Sequence, residues 1–536
     1  MSPTMNTQTS IGRLLRVAAA ALAALVVAAA QAATPGIAGS SFDLSAEAAY
    51  ITQPDGATVY SWGYGCNSGS SPTLAPAAIG GTCPTMQIPG PTLIVNQGDT
   101  VTVKLTNKLP AAAGNTSILF TGFSVQATGG TPGVLTTEAA PGGSVTYSFV
   151  AATAGTHAYY SGTQGDLQVE MGLYGAVIVL PTLSSGLPTG YTSPTPAQHL
   201  PDTCHGLALN LPDGQPDYRL AAAAYDNPQS CYDREYLFQF SEMDPKIHRA
   251  AEQIANCVAA PGIICPANMN TVETEPYHPA YFMINGRSMP DDMDPNYAVQ
   301  YPHQPYNGNP HMHPGELVLL RVIGTGRWQH PFHEHGNHVR ILGRDGNQLL
   351  SLADPTKLAG PLLFTTTTTP GLAMDGIFYW TGKGLNWDVF GHGYSGDTTP
   401  CVADANGYYT TGSGAAPDAI NYYEWCGDHG KPLEARPFGQ VGSGGPVTLP
   451  DPNLLANGAW YGGSPYLGPE AMQRAVGSTP IPPSGTVGND PGAEAGFAYM
   501  WHSHNEREIT TNNAFPGGMM MMMLVDPQAF VIYESN

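Results

Sequence analysis

Charge is scarce in this chain. Only 11% of its 536 residues are charged, and the basic ones are fewest, 19 Lys and Arg against 41 Asp and Glu, for a formal net charge of −22. Without a clustered basic surface, nucleic-acid binding is disfavoured. Cys-x-x-Cys motifs are missing altogether, which argues against thioredoxin-like redox chemistry and zinc knuckles and favours a structural role for the eight cysteines. Beyond the first 32 residues no segment is apolar enough to span a bilayer, so no membrane span is expected in the mature protein.

What is present points to export. Arg13 and Arg16 precede an Ala/Leu/Val stretch that ends in Ala30-Gln31-Ala32, the small-x-small form of a signal-peptidase site. Residues 1–32 therefore read as a signal peptide, with an uncleaved anchor as the alternative, and the protein is expected in the periplasm or outside the cell. In such a compartment eight cysteines read as four disulfides. Proximity along the chain suggests Cys66 with Cys83, Cys204 with Cys231, Cys257 with Cys265, and Cys401 with Cys426.

Sixty-four glycines and 49 prolines imply short strands and many turns. Residues 41–185 alternate Val/Thr/Ile-rich runs with Gly/Pro turns and form one expected β-sandwich. Residues 186–230 are Pro/Ser/Asp-rich and read as a connector. A second sandwich is expected over 231–530, interrupted by a long Gly/Tyr/Pro-rich insertion at about 381–494, and loops of that length are usually functional or disordered. A short helix is expected at Pro245–Ala255, with Asp244 as its N-cap.

Histidine is clustered in two runs, His330-Pro-Phe-His333-Glu-His335-Gly-Asn-His338 and Trp501-His502-Ser503-His504. In a strand, residues two apart share a face. His502 and His504 therefore point one way and Ser503 the other, and His333 and His335 pair likewise. Side by side, the two pairs offer four imidazoles to one or two metal ions, copper first and zinc second. His311 and His313, in His-Met-His, are either a separate peripheral copper site or a coincidence of a loop. The Met519–Met523 run reads as a core strand or as soft ligands for Cu(I).

The two runs are similar to the C-terminal copper motifs of the multicopper oxidases, His-Pro-x-His-x-His-Gly and His-Cys-His-x-x-x-His. Pro89 to Asn107, Gly155 to Gly162 and Met171 to Val179 resemble the opening and closing strands of that family's first domain, and Tyr281 to Arg287 and Gly315 to Gly324 resemble strands of a later one. The resemblance implies an all-β fold of two cupredoxin-like Greek-key β-sandwich domains with long loop insertions. The departures are specific. Leu119-Phe120-Thr121-Gly122 and Tyr159-Tyr160-Ser161-Gly162 stand where the family's first two histidine motifs would lie, so the first domain is expected to be ligand-free, with Tyr159 and Tyr160 filling the space or serving as redox-active tyrosines. Ser503 replaces the cysteine of the type 1 copper, and Glu508 replaces its last histidine. His330 corresponds to a type 1 ligand and is expected to be structural; His338 has no assigned role. Glu508 is open between an oxygen ligand, a carboxylate orienting a histidine, and a surface group.

A blue copper centre needs a cysteine thiolate with two histidines, so no type 1 copper is expected. The expected function is an exported copper-binding protein with a reduced site on His333, His335, His502 and His504. One alternative is an active copper-dependent oxidoreductase acting with O2 on phenolic or metal-ion substrates, and another is a metal-free structural or interaction module. A homo-oligomer is compatible with each.

Overall fold

In the computed structural model, residues 34–76, 80–181, 219–221, 223–380, 461–466, 496–526 and 532 are described. The expected signal peptide, most of the connector and insertion, and Cys204, Cys401 and Cys426 lie outside them. Cys66–Cys83 and Cys257–Cys265 are disulfides, and Cys231 is disulfide-bonded as well.

Four sheets make two cupredoxin-like β-sandwiches. In the first sandwich, a six-stranded sheet runs Thr73–Ala75, Gly36–Ala38, Leu93–Asn96, Tyr174–Leu180, Gly155–Tyr160, Leu119–Phe120, and a five-stranded sheet runs Thr58–Cys66, Ser41–Thr52, Thr100–Asn107, Ser144–Val150, Gln126–Gly129. In the second, Tyr281–Ile284, Arg234–Met243, Leu317–Gly324, Ala373–Tyr379, Val339–Arg344 and Asn347–Gln348 form one sheet. His311–Met312, Met520–Val525, Gly496–Ser503, His330–Glu334 and Thr365–Thr368 form the other, with Gly463–Tyr466 added on Gly496–Ser503. Parallel pairs, Ser41–Thr52 with Thr100–Asn107 and Arg234–Met243 with Leu317–Gly324, cannot be joined by a hairpin and require the crossovers of a Greek key.

Burial follows from position. Thr100–Asn107 alternates buried and open residues, as a strand with one wet face must. Tyr174–Leu180 and Arg234–Met243 are buried throughout, because the sandwiches pack face to face there: Ala158 and Ala176 of the first meet Leu237, Ile323 and Ala373 of the second. A buried ion network crosses the same seam. Arg321 donates to Glu235 Oε2 at 2.9 Å and to Thr156 Oγ1 at 3.0 Å, and lies 3.5 Å from Asp375 Oδ1. Asp375 also accepts from Thr156 N (3.0 Å) and the Tyr225 hydroxyl (2.7 Å).

The α-helix spans Pro245–Ala255, with the Asp244 carboxylate accepting from Lys246 N as N-cap. It belongs in sequence to the second half but packs into the first. Ile247 and Ala251, with Met269, Val272 and Tyr277, complete the first sandwich's core. His248 lies against Tyr60 O (2.6 Å) and Glu170 O (3.1 Å), and burial lowers its pKa to about 4. Among the described residues no helix is long and apolar enough to cross a membrane.

Candidate metal centre

The centre lies where His330–Glu334 pairs with Gly496–Ser503. The register sets His333 opposite His502 and Glu334 opposite Trp501, and residues directly opposite share a face. Phe332 and Trp501 therefore enter the core, while His333 and His502 emerge on the other side with rings 5.6 Å apart. His335 follows just past the end of its strand, its ring 4.9 Å from that of His333 and 5.2 Å from that of His502. The ligand nitrogens of His333, His335 and His502 all lie within 4.8 Å of one another.

Hydrogen bonds orient these rings. His502 Nδ1 is 2.8 Å from Ser503 O, and His335 Nδ1 is 3.3 Å from Gly462 O. A carbonyl can only accept, so both rings carry their proton on Nδ1 and present bare Nε2 atoms. Those two Nε2 atoms stand 3.2 Å apart, where two lone pairs repel unless a cation lies between them. Two nitrogens bound about 2.0–2.1 Å from one tetrahedral ion are about 3.3–3.4 Å apart, so the observed spacing fits. His333 Nδ1 is held by Thr365 Oγ1 at 2.7 Å, and its buried Nε2 has no hydrogen-bond partner. Burial, then the neighbouring imidazoles, lowers the His333 pKa to about 4, and burial leads the lowering at His335 and His502. Neutral imidazoles are the metal-binding form.

Three of the four expected ligands thus converge. His504 is exposed at the rim, its ring 4.9 Å from that of His333 and its Nδ1 3.4 Å from Glu506 Oε1. The strand ends at Ser503, and the His504 ring lies 5.4 Å from that of His502, on the same side.

The other face of the same strands carries a closed network. His330 is buried with both nitrogens engaged, Nδ1 donating to Glu508 Oε2 and Nε2 to Glu242 Oε2, each at 2.9 Å. The Ser503 hydroxyl donates to the same Glu508 oxygen, and Asn505 Nδ2 donates to the other at 2.8 Å. Burial opposes charging of His330, but the hydrogen bonds to Glu242 and Glu508 outweigh it and raise its pKa to about 9. The ring is an imidazolium between two carboxylates. Glu508 is fully buried, which corrects the surface reading and leaves it as the carboxylate orienting a histidine. Glu242 carried no sequence signal: it lies 88 residues from His330, at the far end of another strand.

The remaining candidates take structural places. His311 Nδ1 is held by Asp526 (2.7 Å) and His313 Nδ1 by Glu316 (3.1 Å) and Arg234 (3.2 Å), and among the described residues neither joins the group of three that could hold a metal ion. His338 has its ring against Phe364. Met519, Met521 and Met523 are core residues, and Met520 lies opposite His502 on the histidine face. Phe120 and Tyr159 pair across strands inside the first core, and the Tyr159 hydroxyl donates to Pro91 O at 2.7 Å.

Residues 83–184, within the first sandwich, match the family model for multicopper oxidases. That segment is similar to the multicopper oxidases. A multicopper oxidase from Talaromyces pinophilus is 36% identical over 105 residues, 19% of this chain and 17% of that protein. A laccase from Aspergillus fumigatus is 36% identical over 114 residues, 21% of this chain and 19% of its own length. The match thus spans less than a fifth of either relative. Among solved structures, a blue copper oxidase from Nitrosomonas europaea covers 92% of this chain and 86% of its own at 16% identity, with a TM-score of 0.42. His330, Ser503 and Glu508, at the positions that resemble that family's type 1 ligands, are joined through Glu508 Oε2, which accepts from both His330 Nδ1 and the Ser503 hydroxyl. No thiolate is available there, and the nitrogens of His330 are already committed.

Proposed function

We propose that this protein is an exported copper-binding member of the multicopper oxidase superfamily, with a histidine-only site and no type 1 copper. His333, His335 and His502 hold the ion, with His504 the fourth imidazole within reach. The observation that carries this reading is the convergence of three neutral imidazoles, two with bare Nε2 atoms 3.2 Å apart. Copper bound there supplies one-electron redox and Lewis-acid chemistry. Export is supported by the Cys66–Cys83 and Cys257–Cys265 disulfides, which persist in oxidising compartments.

The test is elemental analysis after copper loading and dialysis, on the wild type and on His333→Ala/His502→Ala. Stoichiometric copper in the wild type and little in the variant is expected. No copper in the wild type favours the metal-free module, and preferential retention of zinc from a mixture replaces copper as the metal. A second reading, a copper-dependent oxidoreductase for phenolic or metal-ion substrates, is favoured by one feature: His335 is half-buried and His504 exposed, so the site is open on one side, as catalytic metal sites are. Oxidation of a phenolic dye by copper-loaded protein, absent in the double variant, would support it.

A further inference from the structure

The long insertion returns to the fold at residues 461–466, and it returns onto the histidines. Gly463–Tyr466 adds as an antiparallel strand on Gly496–Ser503, with Gly463 opposite Tyr499 and Tyr466 opposite Gly496. Just before it, the Tyr461 ring lies 5.2 Å from that of His335 and 5.9 Å from that of His333. Tyr461 O accepts from Gly336 N at 3.0 Å, tying the strap to the residue after His335. Gly462 O is the acceptor that holds the His335 Nδ1 proton.

Both glycines are required by proximity. A Cβ on Gly462 would lie 2.1 Å from His335 Nδ1, and one on Gly463 would lie 2.3 Å from the Tyr499 ring. Gly462 also has φ +66°, a conformation that disfavours other residues. A side chain at either position would lift the strap off the site.

We infer that Tyr461–Gly462 is a built-in strap for the metal site, with Gly462 a positioning residue that fixes the His335 tautomer and Tyr461 the wall that closes the site beside His333 and His335. This rests on the copper reading above. Groups that orient metal-binding histidines typically change affinity 10–100-fold when lost. The insertion is then functional through this segment, which ligand-by-ligand reading of the histidine motifs does not reach.

The experiment uses the full chain and two variants, Gly462→Val and Tyr461→Ala, with Tyr461→Phe as the conservative control. Two readouts are taken: copper affinity by competition with a chelator, with the electron paramagnetic resonance spectrum of bound Cu(II), and the tautomer of His335 in metal-free protein from 15N-histidine spectra. The wild type is expected to show His335 protonated on Nδ1. Gly462→Val is expected to lose that signature and to bind copper 10–100-fold more weakly. Tyr461→Ala, at a position 37% exposed, is expected to keep the fold but change the Cu(II) spectrum, and Tyr461→Phe to restore it, because the ring packs and not the hydroxyl. Either Gly462→Val with wild-type tautomer and affinity, or Tyr461→Ala with a wild-type spectrum, overturns the inference. A wild type that binds no copper is a separate failure, of the copper reading, and the tautomer measurement still decides the role of Gly462.

Discussion

Raising the pH should deprotonate the imidazolium of His330 and loosen the network it forms with Glu242 and Glu508. Its folded pKa, about 9, lies above the ordinary value of 6.5. The contribution is therefore complete below pH 6.5 and is lost as pH rises through 9. That difference corresponds to about 3 kcal/mol. Glu170, whose pKa burial raises to about 8, also loses stability as pH rises through that value, so the wild type alone does not isolate His330. Glu508→Gln does. It removes one of the two carboxylates holding the ring, leaves Glu242 in place and does not touch Glu170. Urea unfolding between pH 6 and 10 should then show a pH-dependent loss in the variant smaller than in the wild type by about half of those 3 kcal/mol. Direct NMR titration should place His330 lower in the variant. Parallel pH profiles for the two proteins would refute the charged Glu242–His330–Glu508 arrangement.

Two other outcomes are expected. Arg321→Met should destabilise the fold by about 3–5 kcal/mol in urea titrations near pH 7, since it strands Glu235 and Asp375 in the buried seam, and a cost below about 1 kcal/mol would contradict the network. Ser503→Cys with Glu508→His introduces two type 1 ligand types beside His330, and copper loading should then produce the intense blue thiolate absorption that the wild type is expected to lack. A blue wild type would contradict the assignment of Ser503.

The sequence made the two sandwiches legible because strand alternation and Gly/Pro turns are local signals, and the N-cap of the helix at Asp244 is equally local. Strand parity placed His502 and Ser503 on opposite faces correctly, and the register brought His333 beside it. His504, one residue past the strand's end, keeps its ring on the same side as His502 but at the exposed rim. Glu508 was ambiguous because its meaning depends on His330, 178 residues away, and Glu242 was invisible for the same reason. Tyr461 and Gly462 gave no sign within a long insertion, since what matters there is a backbone carbonyl and the absence of a Cβ. Spacing alone did not reveal the carboxylate partners of His311 and His313, which lie in Asp526 and Glu316.

The helix at Pro245–Ala255 sets where this protein can be divided. A fragment ending near residue 185 would keep every strand of the first sandwich and yet lack one wall of its interior, leaving the surface beneath Ile247, Ala251, Met269 and Val272 open to water. The complementary fragment would carry that wall with nothing to cover it. The second half thus supplies part of the first sandwich's interior, so cutting the chain between the two sandwiches breaks one core.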